Sequence, residues 1–105
     1  MNNKKIRKFL LKIGISANLK AYFYILDSVD ILSKQKIHTN VTTLYEIIGK
    51  KHNKNKCAVE RAIRHSITQS YGKRNTLKKI YGCIPDNSVF LYDLVFNFDI
   101  LEEEK

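Results

Sequence analysis

The sequence predicts an all-α fold, a compact bundle of about six helices in one domain over residues 1–105, with a core over about residues 6–101. A chain of 105 residues is long enough for one hydrophobic core and too short for two. Hydrophobic residues make up 44% and charged residues 28%, which is ordinary globular usage and excludes a disordered chain. The chain has 1 Pro and 4 Gly, and so few turn formers argue against an all-β protein.

The first two helices follow from apolar residues at helical spacing. Ile6, Phe9, Leu10 and Ile13 indicate a short first helix, which Gly14 ends. Ser16 is expected to cap the second helix, which continues to about Leu32 and should be the central core helix. Its predicted buried stripe contains Leu19, Tyr22, Phe23, Leu26 and Val29.

The third helix follows a polar loop over residues 33–40. Its apolar stripe contains Val41, Leu44, Tyr45 and Ile48, and the helix is expected to end near His52. Thr43 and Glu46 have the spacing of a capping box. Residues 53–56, Asn-Lys-Asn-Lys, then have the composition of a turn, because Asn tolerates left-handed backbone angles.

The fourth helix, over about residues 57–71, has two distinct faces. The inner face is expected to contain Val59, Ala62, Ile63, Ser66, Ile67 and Ser70. The outer face contains Cys57, Arg61, Arg64 and Thr68, flanked by Glu60 and His65.

The remainder of the chain predicts two shorter elements. Residues 72–75 are expected to break the fourth helix, and a short helical turn over residues 76–81 should end at Gly82. Residues 85–88 then introduce a last helix. Its apolar face contains Phe90, Leu91, Leu94, Val95 and Phe98.

Positive charge is concentrated in the middle of the chain. The protein has 19 Lys and Arg against 10 Asp and Glu, a net charge of +9, which predicts an anionic partner. Counting along the sequence gives ten basic residues and one acid over residues 49–79, but six acids and one Lys over residues 86–105. No apolar run approaches the roughly 18 residues of a membrane span. With Cys57 and Cys83 in no disulfide or zinc pattern, we expect a soluble, cytoplasmic protein.

Residues 41–71 have the spacing of a helix-turn-helix. Gly49 suits a close crossing of the two helices, Asn53 suits the turn, and Val59 suits the inward anchor of the second helix. His52 departs from this pattern, since an apolar residue usually stands there. The alternative is an αα-hairpin with a solvated charged face.

The outer face of the fourth helix has groups that can read DNA. Arg61 or Arg64 can donate two hydrogen bonds to guanine O6 and N7, and Glu60 can accept one from cytosine N4. Glu60 also suits the positive end of the helix dipole, which is an equally good explanation for its position. The residues expected to contact the DNA backbone are Lys50, Lys51, Lys54, Lys56, Cys57, His65, Thr68, Lys73 and Arg74.

Catalytic patterns are missing from the sequence. It has no Gly-rich phosphate loop, no HExxH motif, no nucleophile elbow and no evident acid/base carboxylate pair. We therefore expect no enzyme activity, no metal site and no cofactor.

Residues 59–67, Val-Glu-Arg-Ala-Ile-Arg-His-Ser-Ile, closely resemble the recognition helix of a known family. That family is the DNA-binding effector domain of the master response regulator that starts sporulation in endospore-forming Firmicutes. The likeness covers about residues 10–98 and includes the segments 13–17, 19–22, 44–45 and 50–51, together with Pro85, Asn87, Ser88 and Phe90.

The resemblance implies a six-helix domain with a helix-turn-helix. It further implies that Glu60, Arg61 and Arg64 face the major groove of a box with a TGTCGAA-like core, and that His65 lies close to the DNA backbone. Arg61 to guanine and Glu60 to cytosine would suit the TCG step of such a box.

Several features depart from the family pattern. The family usually attaches this domain to a phosphorylatable receiver, for which 105 residues leave no room, so phosphorylation-driven dimerisation is not expected here. Ala58 and Ile84 stand where the family tends to have basic residues, which predicts fewer phosphate contacts. The segment over residues 72–85 is shorter than the corresponding segment of the family. The acidic end, residues 102–104, can repel DNA, fold back on the basic face or solubilise the chain.

The sequence therefore predicts a transcriptional regulator that binds double-stranded DNA and pairs as a homodimer on tandem or inverted boxes. The alternative is a protein-interaction module that pairs with a full-length response regulator or with RNA polymerase. Binding to structured RNA or a membrane surface is disfavoured, because Glu60 lies in the middle of the basic face.

Overall fold

The computed structural model describes residues 3–34 and 40–102, which form seven α-helices. Their bounds are α1 (Asn3–Lys12), α2 (Lys20–Lys34), α3 (Val41–His52), α4 (Lys56–Lys73), α5 (Asn75–Tyr81), α6 (Asn87–Phe96) and α7 (Phe98–Glu102). The all-α prediction is confirmed. Most of the predicted polar loop over residues 33–40 and most of the acidic end lie outside the described residues.

The core forms around α2 and α4, which pack against each other and against α3 and α6. Side chains from several helices are fully shielded from water there, including Leu10, Ile25, Leu44, Ile63, Leu77 and Phe90. Burying each such side chain contributes about 1.5–3 kcal/mol. No helix in the described part of the chain has both the length and the apolar character needed to cross a membrane.

The predicted buried stripe of α2 was wrong in part: Tyr22 and Val29 are buried as expected, but two of its members are not. Leu19 precedes the helix and is 36% exposed, and Phe23 is 49% exposed. The buried face is rotated toward Ile25, because α2 packs against neighbours on that side and Ser28 is accommodated there. The Ser28 hydroxyl donates a hydrogen bond to the Tyr24 carbonyl oxygen at 2.7 Å, which satisfies this buried polar group within its own helix.

Two predicted helix caps were also wrong. Ser16 lies four residues before α2, and its hydroxyl donates to the Asn18 side chain instead of capping the helix. Because α3 begins at Val41, Thr43 is already in its first turn and cannot be the cap. Asn40 takes that place, and its side-chain oxygen accepts from the Thr43 N–H at 2.9 Å.

The helix ends differ in part from the sequence prediction. Gly14 and Gly82 have φ angles of 95° and 72°, the left-handed backbone that ends a helix, as expected. However, α4 continues through Gly72 to Lys73, because glycine lowers helix stability only modestly and does not block the helix. The predicted last helix is divided at Asn97, so that Phe98 belongs to the separate α7.

The crossing of α3 and the turn that follows it depends on Gly49. A Cβ atom at this buried position would overlap the Lys54 carbonyl oxygen and touch the backbone of Asn55. A close backbone approach at Gly49 is thus present, although the backbone that it meets belongs to the turn and not to α4 itself.

We expect Gly49→Ala to lower the free energy of unfolding by about 1–3 kcal/mol, because the new methyl group meets backbone atoms that cannot move alone. Gly72→Ala is the matched control. A Cβ there has nothing within 4 Å, so it should raise stability by about 0.4–1 kcal/mol. Urea unfolding measures the free energy of unfolding of both variants. Equal changes in the two variants would contradict the close approach of Gly49 to the backbone of the turn.

Candidate nucleic-acid interface

The turn between α3 and α4 is fixed by its own hydrogen bonds. Asn53 has φ 58° and ψ 46°, the left-handed conformation predicted for it. The Lys54 N–H donates to the Gly49 carbonyl oxygen at 2.8 Å, and the Asn55 side chain accepts from the Ala58 N–H at 2.8 Å. The direction in which α4 leaves the turn is therefore well defined.

The two faces predicted for α4 are present. Val59, Ile63, Ser66, Ile67 and Ser70 are buried, whereas Ala62 is only partly buried. The hydroxyls of Ser66 and Ser70 donate to the carbonyl oxygens of Ile63 and Ile13 at 2.8 and 2.6 Å. The two buried hydroxyls of the inner face are thus hydrogen-bonded, and their burial does not destabilise the packing of α4 against the core.

The three predicted base-reading residues lie on one side of α4, near its N-terminal half. Arg61 is exposed and forms no ion pair among the described residues. An Arg64 guanidinium nitrogen lies 3.6 Å from a carboxylate oxygen of Glu60, one helical turn away, with 61% and 34% of the two side chains exposed. A surface pair of this kind contributes about 0–1 kcal/mol, so both groups can turn toward a ligand at little cost.

The lysines predicted to contact the DNA backbone differ in their partners. Lys50 and Lys54 are exposed at the end of α3 and in the turn. Lys56 lies 3.5 Å from a Glu46 carboxylate oxygen, in a pair that is half exposed on both sides. Lys51 donates to Asp27 at 2.8 Å, and this hydrogen bond raises the pKa of the lysine above its ordinary value.

Asp27 is a residue whose role the sequence did not indicate. Its other carboxylate oxygen lies 2.6 Å from His52 Nε2, and the His52 ring also packs edge-on against Tyr24 at 5.1 Å. Asp27 therefore connects α2 to the last turn of α3 through two neighbouring side chains. This explains why a polar residue is tolerated at position 52. No local pattern could reveal it, since the partners are 24 and 25 residues apart.

The remaining predicted contact residues lie along the outer face and at the C-terminal end of α4. Cys57, His65, Thr68 and Lys73 are exposed. Arg74 packs over Gly14, and its guanidinium donates to the Lys12 carbonyl oxygen at 3.5 Å. A cation at the C-terminal end of α1 is favourable, so Arg74 has a structural role whether or not it meets DNA.

Potential ligand groups other than these basic residues are few. Cys57 and Cys83 are free, exposed thiols. In residues 3–34 and 40–102, no three His, Cys, Asp or Glu side chains come together as a metal site. A cavity of about 210 Å³ at the C-terminal end of α4 is lined partly by Gln69, Lys73 and Arg74.

Comparison with known protein families agrees with the geometry. A family model described as "Sporulation initiation factor Spo0A C terminal" matches residues 6–94. The match contains all of α3, the turn and α4, and it stops before α7. The family comprises DNA-binding effector domains of a response regulator that controls transcription in sporulation. The chain therefore belongs to the Spo0A C-terminal family of DNA-binding domains.

Proposed function

We propose that this protein is a sequence-specific transcriptional regulator that docks α3, the turn and α4 on double-stranded DNA as a helix-turn-helix. In this proposal α4 lies in the major groove and residues 41–71 form the docking unit. The observation that carries it is the outward face of α4, where guanidinium and carboxylate groups project from a helix whose other face is buried. An α-helix fits the width of the major groove of B-DNA.

Base reading is assigned to Glu60, Arg61 and Arg64. Each arginine can bind guanine O6 and N7 with two hydrogen bonds, and Glu60 can accept from cytosine N4. A carboxylate at the centre of a basic surface opposes binding that depends on phosphate alone. Family membership supports a box with a TGTCGAA-like core, in which Arg61 and Glu60 would read the TCG step.

Backbone contacts are assigned to residues on both sides of the reading helix. Lys50 and Lys54 are the strongest candidates, because they are exposed beside the turn. Lys51 and Lys56 would contribute less, since each already has a carboxylate partner. The others that we propose are Cys57, His65, Thr68, Lys73 and Arg74.

Pairing of two copies would raise the affinity of this interface. One α4 offers three base-reading side chains, and each good pair with a base contributes about 1–3 kcal/mol of discrimination. Helix-turn-helix dimers bind two half-sites about one helical turn of DNA apart, or a multiple of it. We therefore propose that copies bind as homodimers on tandem or inverted boxes, in the cytoplasm where bacterial DNA is found.

A protein partner is the second candidate function. Exposed large apolar side chains on α6 and α7, Val89, Phe96 and Ile100, favour a surface for a full-length response regulator or RNA polymerase. Selection of duplexes from a random pool at about 150 mM salt separates the two functions. Recovery of a common box supports DNA reading, whereas only sequence-blind, salt-sensitive binding would favour the protein partner.

Arg61→Ala should weaken binding to the selected duplex by about 1–3 kcal/mol and relax the preference at one base pair. Fluorescence anisotropy with the selected and a scrambled duplex measures both effects. Arg7→Ala, which removes the same charge from α1, is the matched control. Equal losses on the two duplexes would contradict base reading by Arg61.

Lys54→Ala should weaken binding to the selected and scrambled duplexes alike and reduce the slope of log affinity against log salt by about one. The reason is that one phosphate contact releases about one counterion. Lys34→Ala, at the end of α2 and paired with Asp30, should leave the slope unchanged. If the salt slope of the Lys54→Ala variant were unchanged, the turn would not be part of the DNA interface.

A further inference from the structure

Asn87 connects three helices through one buried side chain. It is the first residue of α6 and is 9% exposed. Its amide nitrogen donates to the Tyr45 hydroxyl in α3 at 3.1 Å and to the Glu60 backbone carbonyl in α4 at 3.1 Å. Both helices of the proposed docking unit are therefore joined to α6 at a single point.

The hydrogen bond to Glu60 is not needed to complete the backbone of α4. In an α-helix, each interior carbonyl oxygen accepts the N–H of the residue four positions later. A carbonyl oxygen has a second lone pair, and the Asn87 amide occupies that direction. This extra bond restrains the rotation and sliding of α4 relative to α6, which apolar contacts restrain less sharply because they are not directional.

The bond meets α4 in the turn that presents the proposed reading residues. Glu60 directly precedes Arg61 and lies one turn before Arg64. Two hydrogen bonds to one base require donor–acceptor distances of about 2.7–3.2 Å and near-linear geometry. A small displacement of this turn would lengthen such bonds without changing the charge of the surface.

We propose that Asn87 is a positioning residue for DNA reading, which holds the Glu60–Arg64 turn of α4 in the orientation that permits base contacts. This inference rests on the proposed function. Burial raises the pKa of Tyr45, while the hydrogen bond from Asn87 opposes that rise, so the hydroxyl remains a neutral acceptor for the amide near pH 7. The side chain is expected to touch no nucleotide, because it is buried between helices.

The test uses Asn87→Leu, which keeps a similar size and removes both hydrogen bonds, with Asn87→Ala as a smaller second variant. Tyr81→Phe is the matched control. It removes the 2.7 Å hydrogen bond from the Tyr81 hydroxyl to Asp93. This bond joins α6 to α5 instead of α4, at a position six residues after Asn87. Each variant is assayed for thermal midpoint, for affinity to the selected and scrambled duplexes, and for the amide NMR signals of residues 59–65.

Both Asn87 variants should lower the ratio of selected to scrambled affinity about tenfold, which corresponds to part of one bidentate base contact. The salt slope should be unchanged and the amide signals of residues 59–65 should move. Tyr81→Phe should lower the thermal midpoint and change neither the ratio nor those signals. An unchanged ratio in a folded Asn87 variant, or an equal fall with Tyr81→Phe, overturns the proposal.

The wild-type protein separates this inference from the proposed function. If it shows no preference for any duplex, the proposed function fails, and the amide signals alone then decide the role of Asn87. Signals of residues 59–65 that move in the Asn87 variants and not in Tyr81→Phe would support positioning of α4. Signals that stay in place would refute it.

Discussion

Burial of one side of α4 determines which residues this protein can offer to a partner. Val59, Ile63 and Ile67 are almost completely shielded from water, and each contributes about 1.5–3 kcal/mol to folding. Rotation of α4 by one residue would bring Glu60 or Arg64 toward the core. Burying such a charge without a partner costs several kcal/mol more. The outward direction of the arginine face is thus a consequence of core packing.

Polar contacts add the positional detail that apolar packing does not supply. Gly49 permits α3 to lie against the turn, and Asn53 and Asn55 fix how α4 begins. Asp27 fastens the end of α3 to α2. Asn87 joins both α3 and α4 to α6. The hydrogen bonds at the turn, at Asp27 and at Asn87 are directional, so together with the close approach at Gly49 they give the helix pair a defined orientation.

Sequence reasoning succeeded where the signal was local. The two faces of α4 follow from apolar residues at helical spacing within 15 residues, and Gly49, Asn53 and Val59 were assigned correctly from their mutual spacing. It failed in part for α2, where Phe23 was expected in the core, because this helix has apolar residues on more than one side and only tertiary packing selects the buried face. Asp27 was missed, and Asn87 was noted only as part of the resemblance, because their partners are remote in sequence. Charge pattern and family likeness indicated DNA, but neither distinguishes Arg64, which pairs with Glu60, from Arg61, which has no ion pair within the described part of the chain.

The central claim, that the arginine face of α4 enters the major groove, can be measured with dimethyl sulfate footprinting on the selected duplex. This reagent methylates guanine N7 in the major groove and adenine N3 in the minor groove. The account predicts that bound protein protects guanine N7 positions within the box, and that Arg61→Ala restores methylation at one guanine. Unprotected guanines together with protected adenines would place the protein in the minor groove and contradict it.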